Sequence, residues 1–321
     1  MKTIYLYEFG GMGDVVICSF LFEAIKKEKH AGRIVAVCSQ QKQVEILRFN
    51  PYVDRIILLR HRWQIKVFES LCRRMRWSLQ SVNFYDAPLD ISMRNAKELV
   101  GEMFEIDSRK YRMQVYPDDK EVAWAKKFRA PYKYVILMQV HSRASRNHFW
   151  LRSRWEEVVR TRPQYTFVQI GLPDEERIAG AIDLRGSISI QRSLALAAVA
   201  DSLVAVDGSL AHIGHAVGLR GVVLFGDSSP VHIGHDSHIN IHKRLDCSPC
   251  FSISEGQAPC PYGHACMLQI STEEVIAALD HQLALGRQDA AEDRSWRVPL
   301  PTTSSRPAAS TVSPNPYAIR P

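Results

Sequence analysis

A glycine-rich loop near the start of the chain carries an aspartate at the point where a helix should begin. The loop follows an apolar run and reads FGGMGDVV over residues 9–16. It is not a dinucleotide fingerprint, because Val16 stands at the third glycine position, nor a P-loop, because no Lys-Ser or Lys-Thr pair follows. Two interpretations stay open for Asp14. It caps the helix, or it is a general base beside a substrate that Gly11 and Gly13 let approach.

Two further polar stretches follow apolar runs later in the chain. The run VAV leads into Asp207, Gly208 and Ser209, where a helix N-terminus would bind phosphate through its amides. An ordinary helix cap, with His212 and His215 filling the helix, is the alternative. The second stretch would neutralise a pyrophosphate or form a solvated basic loop. It reads VHSRASRNHFWLRSRW and contains Arg143, Arg146, His148, Arg152 and Arg154.

Four of the seven cysteines form a cluster with the spacing C-x2-C-x9-C-x5-C. In a chain expected to be cytoplasmic, this grouping indicates a structural four-thiolate site for zinc or iron. Two disulfides or free thiols are the alternatives. The clustered residues are Cys247, Cys250, Cys260 and Cys266.

A basic segment over residues 60–77 reads RHRWQIKVFESLCRRMRW. It holds six Lys and Arg residues against one Glu, with aromatic and aliphatic residues between them. This composition is typical of a helix that meets an anionic membrane surface or an anionic acceptor. A core-packed helix with a solvated basic face is the alternative.

The length, composition and charge of the chain indicate a two-domain globular protein. The chain has 321 residues, of which 46% are hydrophobic, enough for two domains with cores of ordinary size. Its net charge of +7 lies wholly in residues 1–130, which contain 23 Lys and Arg against 16 Asp and Glu. That half should prefer an anionic partner. No apolar run reaches the roughly 20 residues of a membrane-spanning helix and the first residues do not read as a secretory signal, so we expect a cytoplasmic protein.

Short apolar strands alternate with amphipathic helices twice along the chain, first from residue 3 and again from residue 134. This alternation predicts two doubly wound α/β domains, each with a parallel sheet and helices on both faces. The tail is rich in Pro, Ser and Thr and is predicted to be disordered. The predicted divisions are a first domain over 1–130, a second over 131–287 that contains the four-cysteine loop at 247–266, and the tail over 288–321.

The chain resembles the bacterial heptosyltransferases of glycosyltransferase family 9, from about residue 3 to about residue 280. The stretches that carry the resemblance are, in order, GMGDVV, NPYVDRIILL, DLRGSISIQRSLALAAVADSLVAVDGSLAHIGHAVG, GVVLFGDSSP and the cysteine cluster. The resemblance implies a GT-B fold, in which two Rossmann-like domains face each other across a cleft. It places the acceptor in the N-terminal domain and the nucleotide-sugar donor in the C-terminal domain. It also implies an inverting, metal-independent transfer of heptose from ADP-heptose to the lipopolysaccharide inner core.

Several residues with a role in the family match positions of this sequence. Asp14 matches the proposed catalytic base, which takes the proton of the acceptor hydroxyl. Asp207 to Leu210 match the loop that contacts the sugar and phosphates of the donor, although this chain reads D-G-S where the family often reads D-S-G or D-T-G. Asp174 matches an acid that contacts the ribose.

The main departure from the family lies in the basic loop. His148 stands where the family commonly has a lysine that stabilises the departing diphosphate, and the charge of a histidine depends on pH. We therefore expect Arg146 or Arg143 to take over the phosphate role. The predicted catalytic residues are Asp14 and His148. The predicted donor-binding residues are Arg143, Ser145, Arg146, Asp174, Asp207, Gly208, Ser209, Leu210 and His212. The predicted acceptor-binding residues are Gly11, Met12, Gly13, Arg60 and Arg62, and the predicted metal ligands are Cys247, Cys250, Cys260 and Cys266.

The expected partners are a nucleotide-diphosphate sugar, an anionic glycolipid acceptor and the inner face of the cytoplasmic membrane, with no nucleic acid. No catalytic cofactor is expected, only a structural zinc or iron. Two alternatives stay open. One is glycosyl transfer to a protein or another glycan, and the other is a non-catalytic relative that binds a sugar nucleotide. The presence of Asp14 favours an enzyme, whereas His148 in place of lysine favours the non-catalytic relative.

Overall fold

The computed structural model describes residues 2–86, 94–250 and 259–292. These residues form two α/β units, each built on a sheet of parallel strands. The first unit contains the described residues up to 86 together with 96–116, and the second contains 94–95 and 117–292. The predicted fold class, two doubly wound α/β units, is confirmed.

Four parallel strands form the sheet of the first unit, in the order β3-β2-β1-β4. The winding reverses between β1 and β4, so the loops after these two strands flank a topological switch point, where ligands bind in open α/β sheets. The elements are β1 (Thr3–Tyr7), α1 (Met12–Ile17), α2 (Phe20–Glu28), β2 (Arg33–Cys38), α3 (Gln41–Leu47), β3 (Arg55–Leu58), α4 (Arg62–Arg74), β4 (Ser78–Ser81) and α5 (Ala96–Met103).

Six parallel strands form the sheet of the second unit, in the order β10-β9-β8-β5-β6-β7. Here the switch point lies between β5 and β8. The elements are α6 (Asp119–Arg129), β5 (Val135–Gln139), α7 (Arg152–Thr161), β6 (Thr166–Gln169), β7 (Ile182–Asp183), α8 (Ile190–Val199), β8 (Ser202–Val206), α9 (Ser209–Ala216), β9 (Gly221–Phe225), α10 (Pro230–Ile233), β10 (His238–His242), α11 (Ala265–Leu268) and α12 (Thr272–Glu292).

The central strands of the second unit explain why the sequence folds this way. Every residue of β8 and β9 is buried, as expected for strands covered by helices on both faces. Trp150 and Trp155 pack edge to face in the same core, with ring centroids 4.9 Å apart. This rigid sheet fixes the loops at its carboxyl edge.

The structure differs from the sequence-based expectations at three places. Strands β4, β7 and β10 were not predicted, because each is short and has few apolar residues. Helix α6 belongs to the second unit although it precedes residue 130, because it packs on α8 and its Glu121 pairs with Arg192 at 2.7 Å. Helix α12 runs past residue 288, and the rest of the tail lies outside the described residues. No helix in the described part of the chain is long and apolar enough to span a membrane.

Candidate functional site

The glycine-rich loop lies at the switch point of the first sheet, and Asp14 caps the helix that follows it. Asp14 is the third residue of α1, and its Oδ2 accepts a hydrogen bond from the backbone N–H of Gly11 at 2.6 Å. A carboxylate there satisfies an otherwise unpaired amide and opposes the positive end of the helix dipole. The helix-cap interpretation is therefore confirmed. The side chain remains half-exposed, so the cap does not remove it from solvent.

The first glycine of the loop makes room for that carboxylate. Gly10 has φ = 63°, in the left-handed region, and a Cβ at this position would lie 2.4 Å from Asp14 Oδ2. Gln43 holds the turn from the other side by donating from Nε2 to the Gly10 carbonyl at 2.7 Å. A substituted residue at position 10 would therefore displace the Asp14 side chain.

A tyrosine from the loop after β4 fixes the second oxygen of Asp14. The Tyr85 hydroxyl donates to Asp14 Oδ1 at 3.0 Å. Both carboxylate oxygens thus accept one hydrogen bond from a fixed donor, which sets the orientation of the group. Arg60 and Arg62 follow β3 at the same carboxyl edge, where both are exposed. The first unit therefore gathers an oriented carboxylate and two cations at the edge of the sheet where substrates bind.

In the second unit, a glutamine occupies the start of the helix that we predicted to bind phosphate. Gln139 Oε1 accepts from the backbone N–H of Leu210 at 2.9 Å. A Cβ on Gly208 would lie 3.2 Å from the same oxygen, so this position is tightly packed. Ser209 is half-exposed at the first turn of α9. The helix start is thus satisfied by an uncharged side chain and retains its dipole.

A buried ionic cluster underlies these loops. His148 Nε2 lies 2.7 Å from Asp227 Oδ1 and 3.7 Å from Asp207 Oδ2, and all three side chains are at most 4% exposed. The shorter contact is an ion pair when His148 is protonated. Ser145 donates to Asp227 Oδ2 at 2.5 Å, and Ser228 donates to Asp207 Oδ2 at 2.7 Å.

The cluster favours the charged form of its histidine. Burial by itself would lower the pKa of His148, but the contact with Asp227 and the charges of Asp207 and Asp227 raise it above its usual value. Burial likewise acts to raise the pKa of Asp227, and its contacts with His148 and Ser145 outweigh burial and lower it. The imidazolium is therefore neutralised inside the protein. It orients Asp207 at the end of β8 and does not face solvent.

The basic loop ahead of this cluster presents two exposed arginines with different surroundings. Arg143 forms an ion pair with Asp174 at 2.5 Å, so two predicted donor-binding residues are brought together. Arg146 is exposed and makes no ion pair with any other described residue. Of the two, Arg146 is the guanidinium available to an anionic ligand.

Four histidines form a second cluster beside α9. His212 Nδ1 lies 2.7 Å from His235 Nε2, and the rings of His215 and His235 stack with centroids 4.3 Å apart. His238 donates from Nε2 to the Ala211 carbonyl at 2.9 Å. Burial lowers the pKa of His238 to about 4, and the neighbouring histidines add to the shift. His212, predicted to bind the donor, is buried in this cluster.

The predicted metal site is not supported by the geometry. None of the described residues forms a group of three or more potential ligands able to hold a metal ion, and Cys247, Cys250, Cys260 and Cys266 are all free. Cys266 is buried and Cys250 is exposed, and residues 251–258 between the cysteine pairs lie outside the described chain. The thiols are nevertheless within electrostatic range. Partial desolvation, Asp227 and the other three cysteines together raise the pKa of Cys250 to about 11.

Four residues of the two sites escaped the sequence-based prediction. Tyr85 and Gln139 act through single side-chain contacts with residues 71 positions away. Asp227 and Ser228 follow the buried strand β9 after one glycine in GVVLFGDSSP, a placement close to the one that singled out Asp207. The position of polar residues after a strand was therefore a usable signal for Asp227 and Ser228, whereas nothing local marks Tyr85 or Gln139.

Comparison with known proteins points to one family. The model of glycosyltransferase family 9 (heptosyltransferase) matches residues 73–259. No curated protein shows significant similarity to the chain. The chain is similar to the solved structure of a glycosyltransferase family 9 protein from Veillonella parvula, with 18% identity, a TM-score of 0.69, and coverage of 88% of this chain and 97% of the other.

Two further solved structures share the fold. One is the E. coli ADP-heptose LPS heptosyltransferase II, with 14% identity, a TM-score of 0.62, and coverage of 89% of this chain and 100% of the other. The second is the dodecameric iron-containing heptosyltransferase TibC in complex with ADP-D-beta-D-heptose, with 14% identity, a TM-score of 0.66, and coverage of 89% and 76%. At these identities the similarity shows a GT-B fold and leaves the substrate open.

Proposed function

Because the chain belongs to glycosyltransferase family 9, we propose that it is an inverting glycosyltransferase that moves heptose from an ADP-heptose-type donor to an acceptor hydroxyl. The single observation that carries this proposal is the carboxylate of Asp14. It is half-exposed at the switch point of the first sheet and is held by the Gly11 amide and the Tyr85 hydroxyl. Two proteins with the same fold support the choice of donor: one is an ADP-heptose LPS heptosyltransferase, and the other was solved in complex with ADP-D-beta-D-heptose.

Asp14 acts as the general base in this reaction. The acceptor hydroxyl oxygen attacks the anomeric carbon from the face opposite the diphosphate, and Asp14 takes the proton of that hydroxyl. The bond between the anomeric carbon and the phosphate oxygen breaks, and the nucleoside diphosphate leaves with the electron pair. Attack and departure on opposite faces invert the anomeric centre. The hydrogen bonds to both oxygens keep the base oriented toward the acceptor.

The second unit stabilises the departing diphosphate. The N-terminus of α9 supplies amides and a dipole, Ser209 supplies a hydroxyl, and the exposed Arg146 supplies a positive charge. His148 does not touch the diphosphate, because its charge is neutralised by Asp227 and its ring is buried. It is a positioning residue for Asp207, and Arg146 takes the place of the family lysine. This assignment uses protein cations and amides to offset the leaving-group charge.

The acceptor is an anionic glycolipid of the lipopolysaccharide inner core at the cytoplasmic face of the membrane. The positive charge excess supports this part of the proposal, because it lies in the half of the chain that contains Asp14, Arg60 and Arg62. Transfer to a protein or another glycan is the alternative acceptor chemistry. A non-catalytic sugar-nucleotide-binding relative is the alternative from another functional class.

The four-cysteine loop carries a separate proposal, which rests on ligand chemistry and not on the present geometry. Burial raises the pKa of Cys250 and of Cys266, and the neighbouring cysteines add to both shifts, so the four thiols lie in one region of the unit. Thiolates select zinc or iron. We expect about one zinc or iron per chain by elemental analysis, and loss of that metal in Cys250→Ser. A metal-free protein of unchanged melting temperature would refute a structural metal.

One experiment tests the transfer proposal directly. Purified protein is incubated with ADP-, GDP- and UDP-sugars, and donor cleavage is measured with and without a lipopolysaccharide core acceptor. Cleavage of ADP-heptose that increases with the acceptor is the expected result. Absence of turnover with every donor, in a protein that still binds ADP, would instead support the non-catalytic relative.

The matched variant is Asp14→Asn. Asparagine can still accept the Gly11 hydrogen bond through its oxygen and keep the helix cap, and its Nδ2 can donate to the Tyr85 hydroxyl oxygen. The substitution therefore removes the basic group and keeps both contacts. We expect a decrease in kcat of about 10²-fold or more, with unchanged donor affinity and melting temperature. Tyr85→Phe serves as the control, because it loses one orienting hydrogen bond and should lower kcat by about tenfold or less. Wild-type activity in Asp14→Asn would show that Asp14 is not the general base.

A further inference from the structure

Helix α4 presents an outward face on which large apolar side chains stand in water. Its inward face packs Phe68 and Cys72 against the sheet of the first unit. Trp63 and Val67, one turn apart on the opposite side, are 51% and 49% exposed. Met75, just past the helix end, is 53% exposed. Residues three and four apart share one side of a helix, so the outward face is a strip made of Trp63, Lys66, Val67, Ser70, Arg73 and Arg74.

The strip and the residues next to it carry uncompensated positive charge, and three of the cations, Lys66, Arg73 and Arg74, belong to the strip itself. Six cations lie within residues 60–76, all are exposed, and among the described residues none of them forms an ion pair. The only acid in this stretch, Glu69, is half-buried and interacts with Tyr7. Cations elsewhere commonly have carboxylate partners, such as Arg129 with Asp201 at 2.6 Å. The cations without partners are Arg60, Arg62, Lys66, Arg73, Arg74 and Arg76.

The face is rigid before any partner arrives. The helix is anchored by its buried side, and Trp77 after it stacks on Tyr5 with ring centroids 5.3 Å apart. Binding through this face therefore does not require a segment to fold. The conformational entropy that a disordered anchor would lose on binding has already been lost when the protein folds.

We propose that the outward face of α4 docks on an anionic lipid bilayer, with Trp63 and Val67 entering the headgroup region and the cations contacting lipid phosphates. An amphipathic helix with tryptophan on one side and Lys and Arg beside it is suited to that boundary. The inference rests on the proposed function for the presence of a membrane surface, and it does not need the transfer chemistry. It assigns the surface by which the protein would meet that membrane.

Two other occupants fit the face less well. A second copy of the chain meeting it by two-fold symmetry would bring Lys66, Arg73 and Arg74 against the same three cations, which is unfavourable. Specific recognition of a nucleic acid needs side chains that read base edges, and the amide of this helix, Gln64, points to the buried side. A bilayer matches both the exposed aliphatic side chains and the charge.

Vesicle co-sedimentation tests the proposal with four proteins. The vesicles are phosphatidylcholine with or without phosphatidylglycerol. The wild type is compared with Lys66→Gln/Arg74→Gln, with Trp63→Ser/Val67→Ser, and with the control Lys126→Gln/Lys127→Gln on the exposed side of α6. All substituted side chains are exposed, so the core is unchanged.

The expected results follow from the two components of the face. The wild type should bind phosphatidylglycerol vesicles and bind neutral vesicles weakly. Loss of two cations should weaken binding by about 25-fold, at roughly fivefold per cation. The Trp63 and Val67 variant should weaken it by about tenfold or more. The control should bind as the wild type does, and added salt should weaken binding.

Three outcomes would overturn the proposal. They are equal binding of all four proteins, binding that does not depend on phosphatidylglycerol, and duplex DNA binding as tight as vesicle binding. Donor cleavage in solution is measured on the same proteins, and we expect it to be unchanged in every variant. If cleavage is absent in the wild type while vesicle binding holds, the transfer proposal fails and the docking surface stands.

Discussion

The buried ring of His238 should make the second unit lose stability in mild acid. His238 is 6% exposed, donates from Nε2 to the Ala211 carbonyl, and its Nδ1 has no hydrogen-bond partner among the described residues. A proton on Nδ1 would place a charge in the interior beside His212 and His215, and the attraction of Asp236 offsets this only in part. The pKa of His238 in the folded state is therefore about 4, below the usual 6.5.

The sign and size of the effect follow from this difference. Because the folded state binds the proton less readily, His238 contributes its full stability above pH 6.5 and loses it as the pH falls toward 4. Between about pH 7.5 and about pH 5, the free energy of unfolding should fall by about 2 kcal/mol through this residue. The raised pKa of His148 acts in the opposite direction, so the comparison requires a variant that changes His238 alone.

His238→Gln is that variant, because glutamine can still donate to the Ala211 carbonyl and does not titrate in this range. Urea unfolding at both pH values should show the wild type losing about 2 kcal/mol more than the variant. Nuclear magnetic resonance of the His238 ring should show no titration above about pH 5. Equal losses in the two proteins, or a ring that titrates near 6.5, would show that the ring is hydrated and that the reasoning is wrong.

Three other substitutions test the two sites. Gly10→Ala should cost about 1–3 kcal/mol in unfolding and lower kcat, because the new methyl displaces the Asp14 carboxylate; normal kcat would show that the carboxylate adapts. Asp227→Asn should destabilise the protein by about 3 kcal/mol in thermal or urea unfolding, because His148 loses its close counter-charge, whereas a change below about 1 kcal/mol would contradict a buried ion pair. Gln139→Glu should leave the melting temperature unchanged or raise it, and should raise the KM for the donor about tenfold, because a carboxylate then neutralises the helix dipole that the donor needs. An unchanged KM would show that the diphosphate does not bind at this helix end.

The sequence predicted most of the scaffold, because buried parallel strands are continuous apolar runs. Strands β5, β8 and β9 lie where their apolar runs indicated, and the loops after them carry the polar residues. Short strands such as β10, which reads HINIH, have no such signature and form only because the neighbouring strand offers a paired edge. Edge strands are therefore determined by tertiary context more than by local sequence.

The site was predictable only where a residue's role depends on its neighbours in the sequence. Asp14 was found because a carboxylate directly after a glycine-rich turn is recognisable as a helix cap. Tyr85 could not be found, because its role is one hydrogen bond to a residue 71 positions earlier. The placement of His148 also depends on distant residues: its exposure and charge are set by Asp207 and Asp227, which no local pattern links to it.

The two units satisfy the same structural need with side chains of different charge, and this contrast fits the proposed roles of a base in the first unit and a donor-phosphate site in the second. Each switch point contains a helix start whose amide needs an acceptor. In the first unit a carboxylate, Asp14, accepts from Gly11, so the site gains a negative charge that can take a proton. In the second unit a neutral amide, Gln139, accepts from Leu210, so the helix end keeps its positive potential for phosphates. Under the proposed function, exchanging the two acceptor types would place a carboxylate against the diphosphate and remove the base, so such an exchange should abolish transfer even if both helices still form.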